Sequence, residues 1–124
     1  MNIWILLGGV NAALAVAAGA FGWHTLGDVP EIRDVFMMGS QYQMWHALGL
    51  FCVGLLANAR PTRILDGAGV CFQAGIVLFS GTLYAFGGLN FVPIEGAAPV
   101  GGVLLMLGWL VLGIVGARRG VAVP

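Results

Sequence analysis

Charged side chains are missing from residues 1–27, 35–59, 67–94 and 96–117, and these four runs make up most of the chain. Each run is 22 to 28 residues long. A helix needs roughly 20 predominantly apolar residues to cross the hydrocarbon of a bilayer, so every run is long enough to span. In lipid, each backbone amide and carbonyl must find its partner inside the protein, which leaves only helices and closed barrels as spanning structures. Barrel strands alternate polar and apolar positions, and these runs show no such alternation. The chain therefore reads as an all-α integral membrane four-helix bundle, a single four-span transmembrane domain over residues 1–124. Spans are expected at about 3–22, 41–59, 66–86 and 98–117.

Composition excludes the other classes. Only 8% of residues are charged and 60% are apolar, against roughly 25% charged in an ordinary soluble domain. Disordered segments and nucleic-acid-binding surfaces need far more charge than this. The lipid bilayer is the first partner implied, and nucleic acid is not one. A cleaved leader is the rival reading of the first run, with Ala18-Gly19-Ala20 as a small-residue site. That run lacks a positive amino-terminal region, and its apolar stretch is nearer twenty residues than ten, so it is expected to stay as a helix.

The few charges set an orientation. With four spans, Arg60, Arg63, Arg118 and Arg119 fall on one side with Asp66, leaving +3 there. Arg33, Asp28, Glu31, Asp34 and Glu95 fall on the other, leaving −3. Excess Arg and Lys mark the cytoplasmic face, which implies N-in/C-in topology in the cell inner (plasma) membrane, with residues 23–40 and 87–97 outside. In the first outer loop, Asp28-Val29-Pro30 reads as a turn, with Pro30 suited to open a short helix. Ile32, Val35, Phe36 and Gly39 follow at helical spacing against Glu31, Arg33 and Asp34, so residues 31–40 are expected as a short amphipathic outer stub. Residues 87–96 are glycine-rich and expected to be irregular, and Pro99 fits the first turn of the fourth helix.

Apolar surface cannot drive helices together in a solvent that is itself apolar; close approach through small residues does so instead. Gly8, Ala12, Ala15, Gly19 and Gly22 form a stripe on the first helix, and Gly101, Gly102, Gly108, Gly113 and Gly116 lie on the fourth. Packing within the chain is the first reading of these glycines, and self-association through glycine faces the second.

Polar residues inside the spans need partners there. Asn11 and Gln73 fall near the middle of the first and third helices and are expected to face the interior and hydrogen-bond directly, as structural glue or as part of a transport path. The second helix is expected to open at Gln41-Tyr42-Gln43-Met44-Trp45-His46. Gln43 and His46 are then outer groups, joined at that end by His24, Ser80 and Tyr84 in one polar cluster. Two histidines at one depth could ligate a metal or haem. Further ligands at recognisable spacing are missing, with neither His-x-x-His nor Cys-x-x-Cys present, so no metal and no cofactor is expected. Cys52 and Cys71 read as small apolar residues, Trp4, Trp23 and Trp45 as interfacial anchors, Trp109 as a packing residue, and Asp66 and Glu95 as solvated helix-end groups. The sequence holds no Ser-His-Asp set, phosphate loop or intramembrane carboxylate pair, and it is not expected to be an enzyme.

Four blocks also resemble a known family. Gly19-Ala20-Phe21-Gly22-Trp23-His24 is similar to the Gly-Ala-Phe-Gly-Ala-His segment of the small four-helix membrane family called domain of unknown function 423, which includes YgdD-like bacterial inner-membrane proteins and eukaryotic transmembrane protein 256. Tyr42-Gln43-Met44-Trp45-His46-Ala47-Leu48, Phe79-Ser80-Gly81-Thr82-Leu83-Tyr84, then Pro99-Val100-Gly101-Gly102 with Gly108-Trp109 continue the resemblance in order. Trp23 stands where a small residue is expected, and Thr82 where serine is common. The resemblance implies a membrane-embedded four-helix fold without an established chemistry. Three functional readings remain open. The first is a structural or accessory protein that packs against lipid, itself as a homo-oligomer, or a membrane-protein partner. The second is an outward-facing binder or transporter of a small solute or lipid-like ligand, and the third a redox protein carrying haem, quinone or metal.

Overall fold

Four helices account for nearly all of residues 1–27 and 29–119, the part of the chain described by the computed structural model. They are α1 (Ile3–Thr25), α2 (Pro30–Ala59), α3 (Arg63–Leu89) and α4 (Ala97–Arg119). Each boundary has a local cause. Asn2 caps α1, its Oδ1 accepting from the amides of Trp4 and Ile5 at 3.1 and 3.2 Å. Pro30 opens α2, where its missing N–H costs nothing; Asp28, expected in the turn before it, lies outside the described residues. Thr62, rather than Asp66, caps α3 by accepting from Leu65 N. At the far end of α3, Asn90 adopts the left-handed conformation at φ 54° and returns its amide to the Ala85 and Phe86 carbonyls.

Helices α1, α3 and α4 are long and apolar enough to cross a membrane. The second helix falls short in hydropathy because Ser40, Gln43 and His46 lie along it, and the fold buries all three. It nevertheless runs beside α1 for the whole of α1's length, from Phe36 against Gly22 to Gly54 against Ile5. Residues 31–40 are helical, as their periodicity suggests, yet they form the first part of α2 and not a separate stub. No proline interrupts 31–59, and the apolar face of this segment is covered by protein: Phe36 is buried between Gly22 of α1 and Gly87 of α3.

The four helices form a staggered row. Helix α1 packs along α2 and barely meets α3; α4 packs along α3 and barely meets α2; α1 and α4 do not touch. A buried apolar core of Leu50, Val53, Leu65, Phe72, Ile76 and Leu105 joins α2, α3 and α4. Glycines allow the close approaches. A Cβ on Gly101 would stand 2.6 Å from Phe79 N and 3.0 Å from the Gly75 carbonyl, so α3 and α4 meet backbone to backbone. Gly8 and Gly108 lie under the rings of Phe51 and Phe72 in the same way. Gly113 and Gly116 have open space where a Cβ would be, so the packing role expected of the α4 glycines stops short of them.

Candidate functional site: a polar chain beside an open cleft

The start of α2 resets the depth of every polar residue on it. A helix beginning at residue 30 carries Gln43 and His46 to its middle, not to its outer end. Gln43 thereby reaches the level of Asn11, and residues expected as two separate sites become one network. Tyr84 OH donates to Gln43 Oε1 at 2.6 Å, Gln43 Nε2 donates to Asn11 Oδ1 at 3.0 Å, and Asn11 Nδ2 donates to Gln73 Oε1 at 2.8 Å. The chain crosses α3, α2, α1 and returns to α3.

One carbonyl gives this chain its direction. Asn11 Nδ2 also donates to Leu7 O at 2.9 Å, and a carbonyl can only accept. Turning the Asn11 amide over would set oxygen against oxygen. With Asn11 held, Gln73 must present its oxygen and Gln43 its nitrogen, so Gln43 Oε1 is left for the Tyr84 proton. The last donor in the series is Gln73 Nε2, which has no partner among the described residues.

That amide lies at the edge of a cleft. Because α1 and α3 barely touch, a space of about 610 Å³ remains between them, floored by Gln43 of α2. Leu14, Ala18 and Phe21 of α1 and Ile76 and Val77 of α3 form its apolar walls, and Asn11, Gln73, Ser80 and Tyr84 supply its polar patches. Leu14 and Val77 are 55% and 60% exposed, so the opening faces sideways, toward lipid.

Gln43, Ser80 and Tyr84 of the expected outer cluster thus line one cleft with Asn11 and Gln73; the two histidines do not. His24 is exposed in the last turn of α1 and is absent from the lining. Since Gly22 packs on Phe36, His24 stands about a dozen residues above His46 along α2, or roughly 18 Å. Histidine 46 is buried, donates Nδ1–H to the Tyr42 carbonyl, and lies against the rings of Phe72 and Trp109 at 5.9 and 5.7 Å. Equal depth for the histidines was an expectation that depended on α2 starting at residue 41. Cys52 and Cys71 are free thiols.

Several partnerships are invisible in sequence spacing. Ser40 Oγ donates to Ala15 O at 2.8 Å and Ser80 Oγ to Gly39 O at 2.7 Å, each joining neighbouring helices through a backbone carbonyl. The signal for Ser40 was present in Gly19, whose missing side chain leaves room for its hydroxyl. At the arginine-rich end, Asn2 Nδ2 donates to Gly54 O and Asn58 Oδ1, both at 2.8 Å, and Trp4 Nε1 donates to Asp66 at 2.9 Å.

Residues 18–102 match the family described as "Protein of unknown function (DUF423)". The chain belongs to this family. The matched stretch contains Gln43, Gln73, Ser80 and Tyr84, while Asn11 precedes it. Relatives extend the similarity over nearly the whole length. A UPF0382 membrane protein of Staphylococcus epidermidis is 44% identical over 117 residues, covering 90% of this chain and 93% of the relative. The UPF0382 membrane protein YwdK of Bacillus subtilis is 42% identical over 115 residues, covering 90% and 94%. A third, from Staphylococcus saprophyticus, is 39% identical over 115 residues with the same coverage. No solved structure matches. As a DUF423 member, the chain is a small helical membrane protein whose family has no activity in its description.

Proposed function

We propose that this chain is an accessory membrane protein that holds a lipid-like molecule in the α1–α3 cleft. The observation that carries this reading is Gln73 Nε2, without a partner among the described residues, at the edge of a laterally open space with largely apolar walls. A polar group without a partner is costly away from water, and a carbonyl or hydroxyl on a bound amphiphile would satisfy it. The cleft volume of about 610 Å³ lies within the rough 300–1,000 Å³ range of ligand sites. Binding is favoured over catalysis because Tyr84, Gln43 and Asn11 already direct their hydrogen bonds to one another. The arginine asymmetry supports N-in/C-in placement in the inner (plasma) membrane.

A long-chain ester carrying a diazirine photolabel tests the cleft. Label is expected on α1 and α3 peptides around Leu14 and Val77. Gln73→Leu should reduce it several-fold, and so should Gly81→Leu, which fills the lining at a position with free space for a side chain. Labelling spread evenly over α4, or unchanged by both variants, would overturn the assignment. A second reading, a membrane-protein partner or second copy packed on α4, draws support from the outward-facing Gly113 and Gly116. It predicts cross-linked or co-migrating species in native mass spectrometry under mild detergent. A partner-free monomer throughout would count against it.

A further inference from the structure

The arginine-rich end carries a second cavity, separate from the cleft and lined by different residues. Its volume is about 270 Å³, and it lies where the carboxyl end of α4 meets the amino end of α3. Arg60, Thr62, Arg118 and Arg119 supply its polar lining. Its walls are aliphatic, including Ile64, Ile114 and Val115, and Ile64 and Ile114 are more than half exposed. Among the described residues, no carboxylate lines it. Asp66, the acidic group at this end, borders a different pocket, where Trp4 donates to it.

Positive charge here is both held in place and left available. Arg119 Nη1 donates to the Leu56 carbonyl at 2.8 Å and Nη2 to the Arg60 carbonyl, fastening the end of α4 to the end of α2. The guanidinium groups of Arg60 and Arg118 are exposed and make no hydrogen bond or ion pair among the described residues. The helix dipoles do not add to this charge as a set, since the positive amino end of α3 is offset by the negative carboxyl ends of α2 and α4; the arginine side chains supply it. A cationic rim over an aliphatic wall, at the end of a membrane helix bundle, matches an anionic headgroup with the first carbons of its chains beneath it.

We infer that this cavity binds the phosphate headgroup of an anionic phospholipid, with Arg60 and Arg118 contacting the phosphate and the Ile64–Ile114 wall receiving the acyl chain. The site does not depend on the cleft reading, since no residue is shared between the two. Arg119 serves as a positioning residue, its Nη1 and Nη2 being committed to the Leu56 and Arg60 carbonyls while its buried Nε has no partner among the described residues.

The test uses the full chain, delipidated in detergent and offered phosphatidylglycerol and phosphatidylcholine with identical acyl chains, read by native mass spectrometry. Phosphatidylglycerol should be retained preferentially. Arg118→Gln should weaken its retention roughly fivefold, and Arg60→Gln with Arg118→Gln on the order of 25-fold, from about 1 kcal/mol for each arginine at an anionic surface. Both variants remove exposed side chains that have no partner among the described residues, so folding should be kept. Arg63→Gln removes an equal charge at the same end from outside the cavity and should change retention little. Gln73→Leu should leave it intact while emptying the cleft. Equal retention of both lipids, or an Arg63→Gln loss as large as that of Arg118→Gln, overturns the proposal. Displacement of phosphatidylglycerol by inorganic phosphate at equal concentration makes this a free-anion site and overturns the lipid assignment.

Discussion

Gly101→Ala should destabilise the protein by about 3 kcal/mol, the upper end of what overpacking costs, while Gly113→Ala on the same helix should be neutral or mildly stabilising. The substitution is the same; the surroundings differ. A Cβ on Gly101 meets Phe79 N at 2.6 Å, Leu78 Cβ at 2.9 Å and the Gly75 carbonyl at 3.0 Å. Two of these atoms are backbone and cannot rotate away, so α3 and α4 would have to separate and loosen the packing of Leu105 on Gly75. Gly113 faces open space, and alanine there gains up to about 1 kcal/mol of helix propensity. Unfolding by sodium dodecyl sulfate titration from mild detergent measures both. Equal effects at the two positions would mean that the α3–α4 backbone contact does not determine stability. A large loss for Gly113→Ala would instead indicate that a second copy covers that face.

Asn11→Leu is expected to cost about 2 kcal/mol, although an isolated interhelical hydrogen bond in a membrane averages only about 0.6 kcal/mol. The larger figure follows from position. Asn11 both accepts from Gln43 and donates to Gln73, so one substitution removes both interhelical bonds and strands two amides away from water. It also removes the constraint, imposed through Leu7 O, that orients the whole series. A double-mutant cycle tests the claim that the residues act as a chain. Gln43→Leu should cost less in the Asn11→Leu background than alone, because its acceptor has already gone. Strict additivity between the two would show that the bonds are independent, and the directional argument would fail with it.

Much of the fold was legible from charge spacing alone. Each uncharged run of 22 to 28 residues contains most of one helix, and the helix ends lie within a few residues of the expected spans, except at the start of α2. That exception has a clear cause. Glu31, Arg33 and Asp34 marked residues 31–40 as interfacial by composition, whereas Phe36 and Gly39 bury the opposite side of the same segment against α1 and α3. Charge placement reports where water is; it does not report whether a helix stops there.

The site was legible only in its parts. Asn11 and Gln73 stood out because an amide at mid-span needs a partner, and Gln43, Ser80 and Tyr84 stood out as a group. Their union followed from the vertical register of α2 against α1, which no spacing within either helix contains. The same register separated His24 from His46 and removed the reason to pair them. The bonds of Asn2 and Arg119 are not legible in sequence because polar residues at span ends look solvated there, while in the fold both bond to carbonyls or side chains near the end of α2.

By itself the sequence determined that this chain is a set of membrane helices, since in lipid each backbone group must be satisfied within its own segment and the uncharged runs are just long enough to do so. Which side chains meet was decided by the tertiary structure. Helices that pack through glycine can slide past one another, and the register they settle into selects the partners. Here that register joined Tyr84 to Gln73 through Gln43 and Asn11, and left α1 and α3 apart with one unpaired amide between them.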